Sequence, residues 1–196
     1  MKKELKFRIV VSLLTVAAFM LLLAGQFGLF SRKYQASQTT FAASIQDNAD
    51  YTPPKEVKRG KPLEINISSV SINLPVYDGQ YDEKNKTWTL STNAAHYALI
   101  TALPNNVSGN TFIYGHNRKE VFSRLAGMKV GDRATITTDS GYTFVYRFRK
   151  SIETNPYDDS LFRYEGPPIL TLQTCSGLWY QNRQLFTFDL VEVTKS

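Results

Sequence analysis

The hydrophobic pattern changes character twice along the chain. Ile9 to Phe30 reads IVVSLLTVAAFMLLLAGQFGLF, 22 residues with no formal charge. At ~1.5 Å of rise per residue, a helix of about 20 residues crosses a hydrocarbon core of ~30 Å. This stretch predicts one transmembrane helix over 9–30. Residues 31–60 turn polar, with Pro53-Pro54 ahead of a charged run from Lys55 to Lys61, and predict a linker. A short amphipathic or lid-like piece around Phe41 to Ile45 is expected within it. From Leu63 onward the rhythm is period two. Glu64-Ile65-Asn66-Ile67 and Val70-Ser71-Ile72-Asn73-Leu74 alternate. Short strands are also expected at Thr87–Leu90, Thr111–Tyr114, Arg133–Thr138, Tyr142–Arg149, Ile169–Thr174 and Leu185–Val193. Asp139-Ser140-Gly141 reads as a hairpin turn. Only Glu120 to Ala126 has helical spacing, through Val121, Phe122 and Leu125. Short strands with turn residues between them predict an all-β barrel or sandwich over 61–196. At about 135 residues, that body can bury a core without a disulfide or metal staple.

Charge refines this division. The chain of 196 residues carries a formal net charge of +6. Six of its basic residues, Lys2, Lys3, Lys6, Arg8, Arg32 and Lys33, flank the apolar segment, with Glu4 beside them. Beyond residue 33 there remain 17 basic and 16 acidic residues. A body so close to neutral lacks the basic footprint of a nucleic-acid binder. The basic excess belongs to a membrane border. The apolar run is longer than the core of a cleaved signal, and Leu22 spoils the small-x-small pattern before Ala24. An uncleaved signal anchor is therefore expected. Four basic residues precede the span and two follow it, which keeps residues 1–8 in the cytoplasm as a basic tail and puts the body outside the cell.

Cys175 is the only cysteine, so an exported body can form no internal disulfide with it. It is an intermolecular link, an inert buried thiol or a reactive one. Its neighbours favour the last. Cys175 ends the apolar strand Ile169-Leu170-Thr171-Leu172, His116 ends another, and Arg183 opens the final one. An ordinary thiol titrates near ~8.5 and needs a base to act as a nucleophile at neutral pH. A histidine can take that proton and later return it to a leaving amine. A guanidinium can donate hydrogen bonds to a developing oxyanion. The three residue types suit acyl transfer. The second histidine, His96, is expected in a loop as a structural or cleft-lining residue. Asp158 and Asp159 read as a solvated loop rather than a cation site, since Ca²⁺ wants ~6–8 oxygens.

Thr171-Leu172-Gln173-Thr174-Cys175 resembles the TLxTC signature of the sortase family. Gly115-His116 is similar to the family's motif at its catalytic histidine, and Arg183 to the arginine that opens the last sortase strand. The run from His96 through Thr101-Ala102-Leu103-Pro104 to His116 resembles the family's path to that histidine. Val130 to Arg133 and Asn155 to Ser160 also sit where sortases carry related stretches. The resemblance covers 63–196. It implies a closed eight-stranded β-barrel with one or two short helices, preceded by the transmembrane helix. It implies a cysteine transpeptidase that cuts an LPxTG-like C-terminal sorting signal and holds the acyl fragment on Cys175. The fragment then passes to an amine of a cell-wall precursor or a pilin lysine. His116, Cys175 and Arg183 would be catalytic, and Thr174 and His96 would serve the oxyanion or the substrate. No cofactor or metal is implied. The segment Ser176 to Asn182 lacks the proline many sortases carry after the cysteine, Gln184 replaces an apolar residue, and no DPW or DPF lid motif is present. These departures leave the subclass open. The rival reading is a membrane-anchored β-barrel binding module with an incidental thiol. Papain-like and L,D-transpeptidase arrangements do not fit, because Cys175 follows a strand and His116 lies far upstream.

Overall fold

The computed structural model describes residues 56–85 and 87–195, so the expected tail, anchor and most of the linker lie outside the described residues. Ten strands follow in order: β1 Pro62–Ile67, β2 Ile72–Gly79, β3 Tyr81–Asp82, β4 Thr87–Trp88, β5 Ala95–Ala98, β6 Asn110–Tyr114, β7 Arg133–Thr138, β8 Tyr142–Thr154, β9 Ile169–Ser176 and β10 Asn182–Lys195. Eight of them close a barrel in the order β1-β2-β5-β6-β9-β10-β8-β7, with β7 pairing back onto β1. Most neighbours are antiparallel, while β2/β5 and β6/β9 are parallel. The remaining strands, β3 and β4, make a separate two-stranded ribbon. Among the described residues, no helix is long and apolar enough to cross a membrane.

Alternation places the core. Ile65 and Ile67 of β1, Ile72, Leu74 and Val76 of β2, and Leu170 and Leu172 of β9 all fall on the inner face. They meet Ile136, Phe144, Tyr146, Phe186 and Phe188 from the other side of the barrel. Phe148 and Phe188 pack with ring centroids 5.2 Å apart. The β7–β8 hairpin turns at Gly141, whose φ of 75° suits glycine. Its amide donates to the Thr138 carbonyl at 3.2 Å.

Two expectations change. The helical spacing at Glu120–Ala126 gives only a short 3-10 helix at Ser123–Gly127, with Phe122 at its N-cap and no side-chain cap. The preceding backbone is committed elsewhere, because the Arg118 and Phe122 amides both donate to the His116 carbonyl. One turn without a cap cannot propagate further. His96 lies in strand β5, not in a loop. All four residues of β5 are buried, so the strand has no polar alternation to betray it.

Phe188→Ala should lower stability by about 3–5 kcal/mol, the usual range for emptying a fully buried aromatic site. Urea unfolding of the variant beside the parent checks this, and a loss under about 1 kcal/mol would remove Phe188 from the core.

Candidate active site

The site is assembled where β6 gives out beside β9. The two strands pair in parallel as far as Tyr114 opposite Gln173. The ladder then gains one more bond, from the Gly115 amide to the Gln173 carbonyl at 3.0 Å. The next residue of β9 completes the link: the buried Thr174 hydroxyl donates to the Gly115 carbonyl at 3.0 Å. Both backbone polar groups of Gly115 are thus tied to β9. A Cβ here would lie 2.7 Å from a Val121 methyl, so the close approach requires glycine. His116 comes next, and its carbonyl accepts from Arg118 at 2.9 Å and Phe122 at 3.1 Å. The histidine loop is therefore fastened at its entry and wound tightly at its exit.

Cys175 follows Thr174 and is half-buried. Its cross-strand partner on β10 is Arg183. Facing residues of an antiparallel pair have Cβ atoms about 4.5–5.5 Å apart and share one face. The connection between them is short, with Gly177 at φ 84° and Tyr180 at φ 56°. Arg183 Nη1 donates to the carbonyls of Tyr180 at 3.1 Å and Asn182 at 3.0 Å. A guanidinium has ~5 N–H groups in a planar fork, so Nε and Nη2 keep three more.

A cleft of about 670 Å³ opens on the outer face of β6, β9 and β10. Phe112, Tyr114 and Gln173 form its floor, and Arg183 lies at its rim. These are the positions that alternation turns away from the core, since Ile113 and Leu172 point inward. Aromatic contacts build one wall. Trp88 of the β3–β4 ribbon meets Tyr81 at 5.3 Å, Tyr114 at 5.1 Å and Phe162 at 5.9 Å, and Phe162 meets Phe112 at 4.7 Å. Burial holds the Tyr114 phenol well above its ordinary pKa, so it stays neutral. A Cβ at Gly79 would fall 2.2 Å from the Tyr114 hydroxyl, so glycine makes room for that ring. Asp82 carries the ribbon's turn. The Asn85 amide and side chain donate to its carboxylate and hold its pKa below the usual value. A second cavity of about 340 Å³ lies at the end of the barrel, and Cys175 is among the residues that line it.

The sortase domain model matches residues 65–190. The chain belongs to the sortase family. It is therefore a cysteine transpeptidase, and its barrel is the sortase fold. No curated protein matches it. Solved sortases of three kinds share the fold. Sortase A of Listeria monocytogenes aligns with a TM-score of 0.56 at 20% identity, covering 71% of this chain and 92% of the other. Sortase E1 of Streptomyces coelicolor, solved with a tripeptide in its active site, aligns at 0.55 and 21% identity, covering 70% and 91%. Sortase C-3 of Streptococcus pneumoniae aligns at 0.57 and 20%, covering 84% and 83%. Scores this even across sortases A, C and E leave the subclass open.

Of the residues singled out from the sequence, Cys175 and Arg183 are brought face to face and the His116 loop is bound to the cysteine strand. Thr174, whose amide is the expected oxyanion donor, has a second task through its side chain. Its side chain holds Gly115. His96 stands apart. It is buried at 2% exposure, and its Nε2 lies 2.9 Å from Ser91 Oγ. Its Nδ1 lies 3.3 Å from the Asp78 carbonyl. Its ring stacks on Tyr114 at 5.8 Å. It lines neither cavity and supports the cleft floor from behind. The aromatic wall escaped the sequence reading, although Gln173, two positions before Cys175, already marked the shared face.

Thr174→Val should destabilise this sortase by about 1–3 kcal/mol, since it leaves a buried carbonyl without its donor. Thr174→Ser should restore most of the loss. Urea midpoints of the three proteins test the link, and equal midpoints would remove it.

Proposed function

We propose that this sortase cleaves an LPxTG-like C-terminal sorting signal on secreted proteins and transfers the acyl fragment to an amine of a cell-wall precursor or a pilin lysine. The observation that carries the reading is the pairing of Cys175 with Arg183 at the rim of a long aromatic cleft, beside a histidine loop bonded to the cysteine strand. An extended peptide in the cleft would lie along β6 and β9 on apolar rings, with its reacting carbonyl near Cys175.

In the first half-reaction His116 takes the thiol proton and Cys175 Sγ attacks the carbonyl carbon. Arg183 donates N–H groups to the oxyanion. Its charge is permanent, so it need not titrate during the cycle. Collapse breaks the C–N bond, and the proton on His116 passes to the departing amine. Cys175 is left as a thioester. In the second half-reaction the acceptor nitrogen attacks that carbonyl and gives a proton to His116. The C–S bond breaks, the electron pair returns to sulfur, and the thiol regains its proton. The enzyme would act at the outer face of the cell membrane, tethered by residues 9–30 with residues 1–8 in the cytoplasm. Substrate tail, lipid-linked acceptor and enzyme would then share one surface.

Cys175→Ala should abolish cleavage of a sorting peptide, and His116→Ala should be nearly as severe. Arg183→Ala should cost about 10²–10³ in turnover, as loss of an oxyanion donor does. Arg183→Lys should recover little, because an ammonium lacks the planar fork. His96→Ala should lower stability more than turnover. Steady-state kinetics with circular dichroism checks all five variants. Residual turnover in Cys175→Ala, or full activity in Arg183→Lys, would refute the assigned roles. A chain starting at residue 34 should be soluble and active in solution. Recovery of activity only with residues 1–33 and detergent would make that segment part of the fold.

A further inference from the structure

At the reacting end of the barrel an apolar tip stands in solvent. In the turn between β9 and β10, Leu178 is 88% exposed, Trp179 84% and Tyr180 60%. Tyr157, which follows β8, is 92% exposed. Thr154, three residues earlier, pairs with Arg183, so both segments leave the barrel at the same end. The turn is internally bonded. The Tyr180 amide donates to the Gly177 carbonyl at 3.2 Å, and the Trp179 amide to Gln181 Oε1 at 2.9 Å. The Tyr180 carbonyl accepts from Arg183 at 3.1 Å. Tyr180 holds φ 56°, a left-handed conformation uncommon outside glycine. These backbone groups are thus paired while three apolar side chains stay exposed. No residue from 176 to 182 is charged. Beside Tyr157, Asp158 accepts from the Thr154 hydroxyl at 2.7 Å and Asp159 pairs with Arg163.

We propose that this tip rests in the headgroup layer of a lipid bilayer, so that the reacting end of the barrel faces the membrane. The inference rests on the membrane-anchored reading above and goes beyond it, because an anchor alone sets no orientation. Trp and Tyr favour the bilayer interface, which accommodates both an apolar ring and its polar N–H or O–H. A lone exposed apolar residue is ordinary, but a run of three with a fourth ring at the same end marks an interaction surface. Paired backbone groups lower the cost of leaving water. Chain length permits this orientation. The described chain begins at the opposite end of the barrel, where the Lys58 amide donates to Asn106 Oδ1 and the Lys61 amide to Asp139 Oδ1, both at 2.8 Å. Asp139 lies in the β7–β8 turn, close to Tyr142, which pairs with Lys195 at the end of β10 away from Arg183. At ~3.3 Å per residue, β10 runs about 40 Å from Arg183 to Lys195. The 25 residues from 31 to 55 reach about 80–90 Å when extended. They can pass the length of the barrel from an anchor that ends at Phe30. Cys175 and Arg183 would then stand close above the surface, where a substrate tail leaves the membrane.

The test is fluorescence quenching from within the bilayer. The chain has two tryptophans, and the other, Trp88, sits in the cleft wall. The full chain is reconstituted into phosphatidylcholine vesicles, with or without bromine on the upper acyl carbons. Trp179 should lose about half its emission in the brominated vesicles, as an indole in the interfacial belt would. Trp179→Leu, which leaves only Trp88, should show no quenching. Leu178→Asp and Tyr157→Asp place a carboxylate on the tip from two different segments. Each should restore the emission, because that charge resists leaving water. Circular dichroism confirms folding, and either aspartate variant suffices if the other fails to fold. Retention of the chain by the vesicles at high salt is measured beside the fluorescence. A retained chain whose Trp179 is unquenched overturns the membrane-facing tip while the anchor stands. Quenching of Trp179→Leu as strong as that of the parent overturns it, as does quenching that persists in both folded aspartate variants. Unquenched emission that shifts with the protein-to-lipid ratio assigns the tip to a second copy of the chain and overturns it too. So does quenching that appears only once a lipid-tethered sorting peptide is added, which assigns the tip to the substrate. A chain that leaves the vesicles overturns the anchored reading, and this inference with it.

Discussion

The site depends on the double attachment of Gly115 to β9. One bond, from the Gly115 amide to the Gln173 carbonyl, continues the parallel ladder. The other, from the Thr174 hydroxyl to the Gly115 carbonyl, crosses at the next residue. Together they fix the chain entering His116 relative to the chain entering Cys175. These residues are 59 positions apart in sequence, and nothing local could hold them in register. Buried hydrogen bonds of this kind stabilise only modestly, about 1 kcal/mol each, but breaking one leaves a buried group unpaired at a cost of about 1–3 kcal/mol. The need for glycine at 115 follows from the same closeness, because Val121 and Phe122 fill the space a side chain would take.

Barrel closure supplies the other half of the geometry. The order β6-β9-β10 brings three chain segments side by side, and β9/β10 pairing sets Cys175 opposite Arg183. The same two-residue period that sends Leu170, Leu172, Phe186 and Phe188 inward turns Gln173, Cys175 and Arg183 outward. Core and site are thus opposite faces of the same strands. A register slip of one residue would exchange them. The long β8–β10 pairing, running from Arg183 opposite Thr154 to Lys195 opposite Tyr142, guards against that slip.

The cleft wall is held differently. The β3–β4 ribbon lies outside the barrel and is anchored by side chains. Trp88 joins it to Tyr114 of the floor and to Phe162 of the β8–β9 connection. Behind the floor, buried His96 stacks on Tyr114. A histidine that lay closest to the site in residue type therefore serves the groove as packing, with both ring nitrogens facing neighbours.

The sequence by itself determined the strand-rich body, because strict alternation at Ile65, Ile67, Ile72 and Leu74 leaves few other folds that bury them. It also singled out the candidate reacting set, because one cysteine, a Gly-His pair and an arginine ahead of the last strand each sit at a strand terminus. It misread Glu120–Ala126, where spacing suggested a helix and the His116 carbonyl had already claimed the backbone donors. It missed β5 because Ala95 to Ala98 is buried on both faces and shows no period. Only the tertiary structure decided that Thr174 holds Gly115, that His96 stands behind Tyr114, and that Trp88 and Phe162 wall the cleft. Each of these is a contact between residues distant in sequence. Such contacts exist only once barrel closure has brought their strands together.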